Sequence, residues 1–170
     1  MTGTVYSVPP IPPDEAHTTW VEAGAIRIGV EYRLLDEAEL AANYEGEQMD
    51  EIQDALDGQA VQDNGVSLHV AGSQDGHEYL RFDLFDQEPH YHYIDRSGEQ
   101  QTIIDFDRVA HGPMLPWALE QIRSRLVPML ERAGGQDLVS QLDGDRIAGS
   151  LAEVEKLAHE AEAALAAGSK

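Results

Sequence analysis

Between Val66 and Phe106 the chain alternates apolar and polar residues in short runs separated by turn-forming clusters, and this stretch does most to limit the available folds. Residues 66–71, 77–85, 90–94 and about 102–106 carry the period-two pattern of half-buried strands. Gly72-Ser-Gln-Asp-Gly76, Asp86-Gln-Glu-Pro89 and Asp95-Arg-Ser-Gly98 stand between them and favour tight turns. The simplest arrangement is an antiparallel meander. Pro89 is compatible with it because it precedes its strand and removes no ladder donor.

Pairing across these turns assigns side chains to faces. If Ala71 opposes His77 and Phe85 opposes His90, then His69, Tyr79, Arg81, Asp83, Phe85, His90, His92 and Ile94 share one face. Val66, Leu68, Val70, Leu80, Phe82, Leu84, Tyr91 and Tyr93 share the other, with Glu78 at the strand's open end. The second set is apolar apart from its tyrosine hydroxyls, as a helix-covered face requires. With Ile104 and Phe106 also turned inward, Ile103, Asp105 and Asp107 point toward the histidines.

The flanking sequence supplies a further strand and the cover. Ala25–Leu34 alternates, with Ile26, Ile28, Val30 and Tyr32 on one side and Arg27, Glu31 and Arg33 on the other. Residues 36–63 form an acidic helical insertion: Leu40 and Tyr44, then Met49, Ile52 and Leu56, fall at helical spacing, and Gly46 between them predicts a break or two short helices. Leu115, Leu119, Ile122, Leu126, Leu130 and Ala133 form a helical stripe suited to covering a sheet. Pro116 fits an early helical position, Pro128 should kink or divide the helix, and Gly134-Gly135 should end it. A last helix starts near Asp145, and Val8-Pro-Pro-Ile-Pro-Pro13 makes an extended arm. The expected organisation is an arm over 1–19, an α+β domain over 20–144 and an amphipathic helix over 145–170. Its antiparallel sheet has about five strands, one face under the C-terminal helices and the other more polar.

Charge narrows the partners. The formal net charge is −21, and no Lys or Arg occurs between Arg33 and Arg81. Nucleic-acid affinity rests on cations that neutralise phosphate, so nucleic acid and anionic membranes are poor partners. No apolar run reaches the ~18–20 residues of a membrane span. Cysteine is absent, and residues 1–7 lack the basic and apolar regions of a secretory signal, so the cytoplasm is the expected compartment. A basic protein partner, a homo-oligomer, cations or simple solubility fit the acidic surface.

The polar sheet face gathers His69, Arg81, Asp83, His90, His92 and Asp105. Imidazoles at i and i+2 on a strand project side by side, and a carboxylate from the neighbouring strand, Asp83 or Asp105, completes a two-histidine, one-carboxylate set for zinc or ferrous iron. Metal-free acid–base or phosphodiester chemistry would use the histidines with Arg81 holding an anion. Without chemistry, Arg81 pairs with Asp83 or Asp105 and the histidines bond to carboxylates. Cupin-like sites add a glutamate and a distant third histidine, and Glu99 and His111 do not reproduce that pattern. Asp143-Gly-Asp145 lacks the ligands of a calcium loop, and neither a phosphate loop nor His-Glu-X-X-His is present.

Arg81-Phe-Asp-Leu-Phe-Asp86, Pro89-His-Tyr-His-Tyr93, Met114-Leu-Pro-Trp-Ala-Leu119 and Arg125-Leu-Val-Pro-Met-Leu130 resemble a family of small, mostly actinobacterial proteins of unknown activity. The resemblance spans about Val66 to Leu142. It implies a relation to scaffold subunits of large nickel–iron hydrogenase assemblies. No complete catalytic constellation is present, so no catalytic residue is assigned. The leading expectation is a non-enzymatic interaction or scaffold module of a larger assembly. The competing one is a metal-binding protein or metal-dependent enzyme using His90, His92 and Asp83 or Asp105.

Overall fold

The computed structural model describes residues 2–168; Met1 at the head of the arm and the last two residues of the expected C-terminal helix lie outside them. Its strands are β1 (Thr4–Tyr6), β2 (Thr18–Ala23), β3 (Ile26–Asp36), β4 (Gln62–Gly72), β5 (Glu78–Phe85), β6 (His90–Ile94) and β7 (Gln101–Asp105). They form one sheet in the order β1-β7-β6-β5-β4-β3-β2, antiparallel at each pairing. Seven strands therefore replace the expected five or so, and both additions are edges. β1 is three residues long and stands just before the prolines, too short to show alternation. β2 forms a hairpin with β3 through Gly24, whose φ of 76° suits the tight turn.

The meander pairs with its faces as expected but its register displaced. Arg81, not Tyr79, opposes His69, and His90, not His92, opposes Asp83. Each hairpin has slipped by two residues, and an even slip keeps every side chain on its face. Two residues depart from this rule. A bulge lies where Val70 opposes Leu80 but Ala71 opposes Glu78, which leaves Tyr79 as the extra residue. Tyr79 consequently turns into the helix-covered core, and Glu78, expected at the open end of the apolar face, turns onto the polar face.

The helices are α1 (Glu37–Asn43), α2 (Gly46–Leu56), α3 (Arg108–His111), α4 (Met114–Ser124), α5 (Leu126–Arg132), α6 (Gln136–Val139) and α7 (Gly144–Gly168). α4, α5 and α7 bury their apolar stripes against Ile28, Val30, Leu68, Val70, Leu80 and Phe82. Pro128 is the third residue of α5; it has no N–H to donate back to the Ser124 carbonyl, and α4 ends at that residue. Phe82, Tyr91 and Phe106 gather around Trp117, with ring centroids 6.1, 5.1 and 4.9 Å from it. These aromatics belong to the core.

The opposite sheet face is covered in part. Val8 and Ile11 of the arm pack on Leu40 and Tyr44, with Met49, Ile52 and Leu56 of α2 against them. Asp36 caps α1 by accepting from the Glu39 N–H at 2.9 Å, and the Tyr44 hydroxyl donates to the Pro9 carbonyl at 2.6 Å. The arm and the acidic helices thus form walls above a polar floor. Gly65 in β4 permits the close approach to β5 beneath them: a Cβ there would lie 2.4 Å from the Leu84 carbonyl oxygen. Because backbone must move to admit it, Gly65→Ala is expected to lower stability by about 1–3 kcal/mol, measured as a shift in urea midpoint at unchanged m.

Candidate metal centre

Two cross-strand rows build the polar floor. His69, Arg81, His92 and Ile103 lie side by side on β4, β5, β6 and β7, and Glu31, Ser67, Asp83, His90 and Asp105 form the next row from β3 to β7. Strand alternation aims both rows away from the helix-covered core. Glu31, Ser67, His69, Arg81, Asp83 and His92 are buried all the same. Buried polar groups at this density require partners.

Asp83, His90 and His92 converge. The Nε2 atoms of His90 and His92 lie 3.0 and 2.7 Å from the same oxygen, Asp83 Oδ2, and the Ser67 hydroxyl donates to Oδ1. His90 Nδ1 donates to the Glu88 carbonyl at 2.7 Å, and His92 Nδ1 lies 2.8 Å from Gln101 Oε1. A carbonyl oxygen only accepts, so each Nδ1 carries a proton and each Nε2 is left facing Asp83. One ligand atom from each of the three residues fits within a span of 4.8 Å. Burial alone would raise the Asp83 pKa, but the hydrogen bonds and charges of His90 and His92 hold it well below the usual carboxylate range. Burial lowers both imidazoles; Asp83 outweighs it for His90, which ends above 6.5, but not for His92, which ends below.

A chain of alternating charge runs beside this cluster. His69 sits between Glu31 Oε1, 2.8 Å from Nε2, and Glu78 Oε2, in contact with Nδ1. Arg81 grips Glu78 with two bonds of 2.9 and 2.6 Å, and Arg33 lies 3.6 Å from Glu31. With an acceptor at each ring nitrogen, His69 is an imidazolium. Burial would lower its pKa, yet the Glu78 charge and the bonds to Glu31 and Glu78 raise it above 6.5. Burial would raise that of Glu78, yet Arg81 and His69 bring it far below 4.5.

A pH dependence follows from these two shifts. The raised His69 contributes stability that is complete below its unfolded value of 6.5 and is lost as pH climbs through its folded value. The depressed Glu78 contributes stability present above 4.5 and lost as pH falls through its folded value. Between those limits the chain is at full strength. From about pH 6 into the alkaline range, denaturant titrations should show wild type losing unfolding free energy relative to His69→Gln. Parallel profiles would remove the imidazolium from the account.

The Asp83–His90–His92 cluster and, from the charge chain, Arg33 and Arg81 border a cleft of about 1020 Å³. Its floor includes Arg81, Asp83, His90 and His92, and its walls include Ile11, Leu40, Tyr44, Ile52 and Leu56. The structure therefore brings together His90, His92 and Asp83. Asp105 opposes His90 in the β6–β7 pairing and lines the cleft, outside the converging trio. His69 and Arg81 lie in the adjacent charge chain. No sequence pattern singles out Ser67, Gln101, Glu31 or Glu78. Alternation puts Glu31 on the solvent side of a half-buried strand, and the bulge that turns Glu78 onto the polar face has no sequence mark apart from the nearby Gly76.

A family model described as domain of unknown function (DUF7700) matches residues 20–158. The chain belongs to this family. The DUF7700 match takes in the acidic segment 36–63 and most of α7, which the resemblance read from the sequence left outside. It leaves out the arm, whose Ile11 lines the cleft and whose Val8 is buried behind it. No curated protein and no solved structure matches the chain. Among the described residues, no helix of this DUF7700 protein is long and apolar enough to cross a membrane.

Proposed function

We propose that the protein binds a divalent transition metal, zinc or ferrous iron, through Asp83 Oδ2, His90 Nε2 and His92 Nε2. One observation carries this reading: three ligand atoms converge while the outer partners of each ligand are already in place. The Glu88 carbonyl and Gln101 fix the imidazole tautomers, and Ser67 fixes the carboxylate, as supporting groups do around metal ligands. A single cation would occupy the space in which His90 Nε2, His92 Nε2 and Asp83 Oδ2 face one another. Two histidines and one carboxylate suit these metals and leave positions for water or a substrate oxygen on the cleft side. The reading thus covers a metal-binding protein and a metal-dependent enzyme.

The test is metal uptake by full-length protein purified without a histidine tag. Equilibrium dialysis against zinc and, anaerobically, ferrous iron should give near-stoichiometric binding that His90→Ala/His92→Ala loses. Uptake that is equal in the two proteins, or negligible in both, would sink the proposal.

A protein-interaction role, as a scaffold or accessory module, is a second reading. It is favoured by Val109, 97% exposed on α3, and by the strongly acidic sequence. The likeness to hydrogenase scaffold subunits would make the partner an oxidoreductase complex. The cytoplasm is the proposed compartment for either role, in keeping with a chain without cysteine. Native mass measurement should find an oligomer or partner that Val109→Asp weakens; a monomer alone would count against it.

A further inference from the structure

Arg33 is the cation in the cleft whose charge is least used. Arg81 also lines the cleft, but Glu78 grips its guanidinium with two bonds. Arg33 donates from Nη1 alone, to the Ile11 carbonyl at 3.5 Å, and the nearest carboxylate oxygen, on Glu31, is 3.6 Å away and shared with His69. Among the described residues, neither its Nε nor its Nη2 makes a hydrogen bond. The side chain is nevertheless only 7% exposed. A guanidinium carries five donors, and those that Arg33 leaves without a protein partner open onto the cleft, where a ligand can take them.

The surroundings define that ligand. Arg33 stands two strands from Asp83 and one two-residue step further along the sheet, a backbone separation of roughly 12 Å by strand geometry. The strand between them carries Gly65 opposite Arg33, so no side chain rises from that position of the floor. Phe85 flanks it on the far side, and Leu40, Ile52 and Leu56 stand on the walls. Asp36, Asp63, Asp86, Glu88 and Asp105 also line the cleft, and their field opposes a multiply charged anion. A single carboxylate on an apolar body meets all three conditions: a planar partner for the guanidinium, apolar contact along the cleft, and little repulsion.

We infer that the cleft binds a monocarboxylic organic molecule with an apolar body, anchored by Arg33 at the end away from the Asp83–His90–His92 cluster. This deepens the metal reading, because the body of such a molecule would lie toward the proposed metal. The anchor itself needs only Arg33 and the apolar wall.

The probe is 4-phenylbutyrate, compared by calorimetry with its uncharged amide and with acetate, using full-length protein with and without zinc. The carboxylate should bind roughly ten- to hundredfold tighter than the amide, the range expected of a charge-assisted pair, and tighter than acetate because of its apolar body. Arg33→Gln should remove the preference over the amide while leaving amide binding in place, and Arg33→Lys should restore part of it. Amide binding by the variants doubles as a check that the cleft is intact. Equal affinity for carboxylate and amide in wild type, or no binding at millimolar concentration, overturns the inference. Zinc uptake is read in the same samples: a preserved carboxylate preference without zinc uptake defeats the metal reading alone, and zinc uptake without the preference defeats the anchor alone.

Discussion

Replacing His69 with leucine is expected to lower the free energy of unfolding by about 3–5 kcal/mol near neutral pH, the range observed when one member of a buried ionic network is removed. The imidazolium separates Glu31 from Glu78 and donates to both. Leucine would leave two carboxylates on one buried face with Arg81 and Arg33 as their remaining cations. The apolar gain of leucine is small by comparison, since His69 is already fully buried and fills its space. Urea denaturation measures the loss. A second substitution, Glu31→Gln, should recover part of it in His69→Leu, because Glu78 keeps its two bonds from Arg81 whereas Glu31 is left with Arg33 at 3.6 Å, although the same substitution alone destabilises. A loss below about 1 kcal/mol would mean that the chain of charges is already screened by water and does not hold the strands together.

Asp83→Asn is expected to abolish most metal binding while keeping the fold. Wild type with zinc at a hundred times its dissociation constant should gain about 2.7 kcal/mol of stability, whereas the variant should gain close to nothing. The asparagine keeps the shape of the side chain and one acceptor oxygen but loses the charge that makes Oδ2 a ligand. Thermal melts of both proteins with and without zinc measure the difference. Equal zinc-induced shifts would place the metal elsewhere, for example on exposed acidic groups.

Much of this site was legible in the sequence, for a specific reason. His90, His92, Arg81, Asp83 and His69 were placed on one face by period-two alternation, and that survives a register error of two residues. Both hairpins made that error. Odd displacements do not survive, and the bulge at Val70–Ala71 is one. It alone moved Glu78 to the polar face and Tyr79 to the core. The two edge strands were missed because three residues before a proline run, and six containing Thr-Thr-Trp, show too little alternation. The burial of Glu31 and Arg33 was hidden for another reason. Alternation tells which residues share a face, but the cover over that face comes from the distant segments around Ile11 and Leu40. No local pattern in β3 encodes them.

The two imidazoles offer the most direct test of the metal centre. Nitrogen-15 NMR of the histidine rings, recorded as zinc is added to stoichiometry, reports the state of each ring nitrogen separately. The proposed arrangement requires His90 and His92 to keep their Nδ1 protons and to coordinate through Nε2, with both Nε2 resonances shifting together and saturating at one equivalent. Ring resonances of His90 and His92 that stay unchanged at that point, while the protein or its other histidines take up the zinc, would contradict it.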